Sequence, residues 1–71
     1  MQNQAQSSQK LDTKALSILK EQMEQEAVAY SKYDAYARQF LDQNLSSHAG
    51  TLAAHHKQHF DSLFNYLSSH N

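Results

Sequence analysis

From Leu16 to Phe40 an inward position recurs at alternating spacings of three and four, through Leu19, Met23, Glu26, Tyr30, Tyr33 and Ala37, with Glu26 the sole polar interruption. Such an alternation is the seam of a helix packed lengthwise against other helices, and it is incompatible with the period of two that a strand presents. Nothing in the chain opposes helix: proline is absent, Gly50 is the single glycine, and long stretches consist of Ala, Leu, Glu, Gln and Lys. An all-α protein is expected.

A second seam follows the first. Read as Leu45, Ala49, Leu52, His56, His59, Leu63 and Tyr66, it is broken only by its two histidines. Asp12 is a good N-cap for the first helix, with Leu11 and Leu16 at the positions of a hydrophobic staple. Asp42 can cap the second. Glu26 lies 16 residues before Asp42, and His56 and His59 lie 14 and 17 after it. At about 1.5 Å per residue, a reversal near Leu41 and Asp42 places all three roughly 21 to 26 Å from the turn. A reversal at Ser46 would separate Glu26 from the histidines by roughly two helical turns. The expected organisation is a Gln-rich disordered tail over residues 1–10, then a long antiparallel helical hairpin over 11–71, with helices at about 13–40 and 43–69.

A chain of 71 residues and 8.1 kDa buries little surface alone, and small domains rely on disulfides, a metal or a partner chain. No cysteine is present, which leaves metal or self-association. Beside the two seams, Phe60, Phe64 and Leu67 add a second apolar stripe, as Ala27, Ala29 and Tyr36 do on the first helix. That width suits a half-bundle that dimerises into a four-helix bundle, most simply a homodimer of hairpins. Six basic against seven acidic residues provide no electrostatic footprint for nucleic acid. No apolar run reaches the roughly 18 residues of a membrane span, and the opening MQNQAQSSQ has neither the basic start nor the apolar centre of a signal peptide. Synthesis in the cytoplasm, with no nucleic-acid or membrane partner, is expected.

The candidate site is the inward polar layer. His56 and His59 are three apart, hence on one helix face, and Glu26 stands level with them. Two arrangements are open to such a group. It can form a hydrogen-bonded network that fixes the register of the pairing, or it can hold a transition metal ion such as zinc, iron, manganese or copper, whose preferences imidazole and carboxylate match. Glu26, His56 and His59 are therefore the expected metal ligands. Tyr30, one turn on, is the expected hydrogen-bond donor to Glu26. His48 and His55 fall on the flank of the seam, and His70 lies near a frayed end with no assigned role. Nucleophilic catalysis has no foothold, since there is neither a cysteine nor a glycine-rich turn to expose a serine.

The segments EAVAYSKYDAYARQFLDQNL and HHKQHFDSLFNYL, spanning Glu26 to Leu67, resemble the small ferritin-like spore coat proteins of spore-forming bacteria, which are related to rubrerythrins. Members carry a glutamate followed by Lys-Tyr-x-x-Tyr-Ala on the first helix, matched by Glu26 and by Lys32, Tyr33, Tyr36 and Ala37; an aspartate then opens the second helix, as Asp42 does here. A Glu-x-x-His pair follows in the family, and His56 stands where its glutamate falls, with His59 at the histidine. The resemblance implies a ferritin-like fold, self-association and other spore coat proteins as partners. It carries Glu26 and His59 over as ligand positions, and His56 in position only. A di-iron carboxylate site draws on four glutamates, whereas a dimer of this chain brings two. The expected function is accordingly a non-enzymatic, self-associating structural protein of a spore coat layer. A metal-dependent oxidase or peroxide-scavenging protein of rubrerythrin type is the alternative.

Overall fold

The computed structural model describes residues 11–70, and they form two helices, α1 (Thr13–Gln39) and α2 (Gln43–Ser69), joined by a three-residue reversal. The protein is an all-α antiparallel helical hairpin, 52 Å long and 17 Å in each other direction. The expected tail over residues 1–10 lies outside the described residues.

Each helix starts on an aspartate. The Asp12 carboxylate accepts from the Ala15 N–H at 2.7 Å, and that of Asp42 accepts from Asn44 and Leu45 at 2.8 and 3.0 Å. These bonds satisfy amides that the first turn leaves without intrahelical partners. α1 stops one residue short of the expected position because Phe40 turns to extended geometry, at φ −68° and ψ 130°, while its N–H still donates to the Tyr36 carbonyl. The reversal is then secured from the other side: the Ser46 hydroxyl donates to the Ala37 carbonyl at 2.6 Å, so an orphan acceptor of the last turn of α1 is satisfied by the first turn of α2. At the far end, His70, to which the sequence assigned no role, donates through Nδ1 to the Tyr66 carbonyl at 2.9 Å and stacks on the Tyr66 ring. It finishes α2 in the manner of a C-terminal cap.

The seam of α1 runs half-buried from Leu16 to Ala37, whereas Phe40, expected as its last inward position, is 40 % exposed. That of α2 keeps Ala49, Leu52, His56 and Leu63 from the expected line and adds Ser46, Ala53, Phe60 and Leu67, whereas Leu45, His59 and Tyr66 stand on the flank and are exposed. Among the described residues only Ala49 and Ala53 are fully buried, each 4 % exposed. Two helices cover one stripe of each other, and only a side chain as short as alanine at the line of closest approach disappears entirely within such a contact.

Candidate metal centre

Glu26 and His56 are the midpoints of their helices, each the fourteenth of 27 residues. Because the reversal is short and the helices are equal in length, the two midpoints stand side by side. Glu26 Oε1 accepts from His56 Nδ1 at 2.6 Å, a short charge-assisted geometry. His59, one turn along α2, brings its own Nδ1 to 3.4 Å from the same oxygen. The three donor atoms lie within 4.8 Å of one another, so Glu26, His56 and His59 form a group close enough to hold a single metal ion.

Covering is graded across the group. The side chain of Glu26 is 13 % exposed, that of His56 28 % and that of His59 60 %. His59 thus does not face inward as expected. The seam of α2 passes from His56 to Phe60, which leaves His59 on the flank in line with Leu52 and Tyr66, bending back toward Glu26. With Nδ1 turned to the carboxylate, Nε2 on the opposite side of the ring is directed away from it.

The neighbours hold the group in place. Gln22 Nε2 donates to Glu26 Oε2 at 3.2 Å. This is the bond expected of Tyr30, and the reason for the exchange is the side of α1 on which each residue stands: Tyr30 lines the opposite flank of the hairpin with Ala27, Lys57, Phe60 and Asp61. Gln22 carried a legible signal, since a residue four positions before a carboxylate shares its helix face. The Tyr33 ring lies parallel to the His56 imidazole, centroids 5.6 Å apart and planes 5° apart, while His59 meets His56 edge to face at 5.9 Å. His48 and His55 are exposed and outside the group.

The electrostatics follow from these contacts. The hydrogen bond from His56 holds the Glu26 carboxyl below its ordinary value; its partial burial opposes this, and Gln22 and the nearby His59 reinforce the lowering. Glu26 is therefore anionic at neutral pH, the state a metal ligand needs. The donor set of two imidazole nitrogens and one carboxylate oxygen fits zinc and its first-row neighbours rather than calcium or magnesium, and three protein ligands leave a tetrahedral ion one further position. The 3.4 Å separation between His59 Nδ1 and Glu26 Oε1 is close to the edge of a tetrahedron with ligands at about 2.0–2.1 Å. At 2.6 Å the other pair is hydrogen-bonded, and a metal bound between its atoms would displace that bond. Comparison with protein-family models, curated proteins and solved structures finds no match for this chain.

Proposed function

We propose that the chain is a non-enzymatic, self-associating structural protein whose Glu26, His56 and His59 hold one transition metal ion, zinc fitting best. The observation that carries this reading is the convergence of three donor atoms from the midpoints of two helices within 4.8 Å. A metal there ties α1 to α2 at half their length, in a hairpin whose packing fully buries only Ala49 and Ala53 among the described residues. A chain of this size has few other means of holding two helices in register. The resemblance to ferritin-like spore coat proteins supports assembly into a coat layer as the setting, with other coat proteins as neighbours. One carboxylate per chain at the centre supports a structural ion over a carboxylate-bridged redox pair of rubrerythrin type.

A second reading is favoured by the 2.6 Å bond: in it Glu26 and His56 are a polar clasp that fixes the register without metal. Elemental analysis of untagged protein, combined with zinc titration, separates the two. One zinc per chain in the wild type, lost in Glu26→Ala and His56→Ala, is expected; equal uptake by all three proteins, or none by the wild type, would overturn the metal reading.

A further inference from the structure

We infer that the flank bearing His59 is the surface on which a second copy of this chain docks, with the two Glu26/His56/His59 layers brought to one level. The inference rests on the self-associating reading and assigns it a face. Two apolar grooves lie along this flank on either side of the polar layer. Toward the open end, Ile18, Leu19, Leu63 and Tyr66 line one; toward the turn, Tyr33, Tyr36, Phe40 and Leu45 line the other. Neither groove contains a Lys, Arg, Asp or Glu. The opposite flank is different in kind, with Lys57 and Asp61 paired at 3.1 Å beside Tyr30 and Phe60, and the outer side of α1 carries Glu21, Glu24 and Lys32. Depletion of charge with enrichment in tyrosine is the composition of an interface core. Among the described residues eight large hydrophobic side chains are left exposed, and five of them (Ile18, Tyr36, Phe40, Leu45 and Tyr66) belong to the His59 flank.

A second copy suits this flank because its pattern is its own complement. The polar layer sits at the midpoint of both helices, so a two-fold axis through it returns Glu26 and the histidines to the same level whether the second hairpin runs with the first or against it. In both cases the apolar grooves of one copy cover those of the other. The exposed His59 then stands within the joint layer, its Nε2 turned toward the partner's donors. Ile18, Tyr36, Phe40, Leu45 and Tyr66 are 40–56 % exposed on this face, and a second copy presenting the same five residues withdraws them from water on both sides.

The test uses the full chain, with chelator and with zinc in parallel. Sedimentation across a concentration series is expected to give twice 8.1 kDa. Ile18→Glu and Tyr36→Glu should raise the dissociation constant at least about a hundredfold, because each buries an unpaired carboxylate at the contact, while Val28→Glu and Phe64→Glu, exposed elsewhere, leave it unchanged. In wild-type protein, hydroxyl-radical labelling of Tyr36, Phe40 and Tyr66 should fall as the dimer forms, with that of Phe64 constant; this reading does not depend on any variant folding. A chain monomeric throughout, or one whose association is lost in Phe64→Glu and kept in Tyr36→Glu, would overturn the assignment. A dimer with this pattern of sensitivity in chelator, but without zinc uptake, would retain the face and remove the metal.

Discussion

Glu26 and His56, thirty residues apart in the chain, meet at 2.6 Å through Oε1 and Nδ1, and a metal bound between these two atoms would displace the hydrogen bond they form. Metal uptake and this hydrogen bond therefore compete. Zinc binding to the wild type should release protons and weaken as pH falls, since both imidazoles must be unprotonated to act as ligands. Removing a donor is more severe than altering its support, for which losses of about 10–100-fold are typical. Glu26→Ala and His56→Ala are each expected to lose at least about tenfold in zinc affinity. His59→Ala should lose comparably, and His55→Ala, exposed and outside the group, nothing. Calorimetric titration of the four variants checks the ranking; equal losses at His55 and His59 would contradict the orientations described.

The lowered Glu26 carboxyl makes a prediction about acid stability in chelator. A group whose value is depressed by folding contributes stability that is fully present above its ordinary value, here 4.5, and is lost as pH falls through its folded value. The urea midpoint of the metal-free wild type should thus decline below about pH 4.5, and Glu26→Gln should flatten that decline. A parallel decline in both proteins would show that His56 contributes nothing through Glu26 to the folded state.

The α1 seam was legible because, beside the flanking Ala27, Ala29 and Tyr36, its line stays apolar from Leu16 to Ala37 but for Glu26, with charged Lys20, Glu24 and Lys32 on the other sides. In α2, three adjacent stripes are occupied by apolar or histidine residues, and periodicity alone has no means of choosing among them. The choice is made by size. The line containing Ala49 and Ala53 allows the closest approach of the two backbones, and α2 turns that line inward although Leu45 and Tyr66, both left exposed, are the larger apolar side chains. His59 moves to the flank as a consequence, while His56, which belongs to both readings of the seam, stays. The level of the polar layer was legible for a different reason: it depends only on counting residues from Asp42, and the cap that fixes the count is local chemistry. Gln22 was passed over in favour of Tyr30 because both are four residues from Glu26, and only the side of contact with α2 distinguishes them.

Since that count starts at the cap, Asp42 is expected to matter beyond its exposed position. Its carboxylate accepts from two amides of the first turn of α2, and its carbonyl accepts from Ser46 N–H, whose own hydroxyl reaches back to Ala37. Asp42→Ala should destabilise the protein by about 1 kcal/mol, whereas Asp42→Asn, which keeps an acceptor, should cost less. Urea unfolding of both variants in chelator is the measurement. Equal losses would assign the effect to charge at the helix start rather than to the cap bond.

Gly50 sits in the interior of α2 next to the buried Ala49, and the sequence invites the reading that its missing side chain admits a close helix contact. The geometry argues otherwise. A Cβ placed on Gly50 would meet the Ala37 Cβ at 3.9 Å, ordinary van der Waals contact that requires no displacement of either helix. The alanine would also restrict the unfolded backbone and suit the helix better, so Gly50→Ala is expected to stabilise the protein by about 0.5–1 kcal/mol. A rise in the urea midpoint with an unchanged slope is the expected result. A fall would mean that α1 and α2 approach more closely at Ala37 in solution than this geometry allows, and the level of the Glu26 and His56 layer, two turns further on, would have to be reconsidered with it.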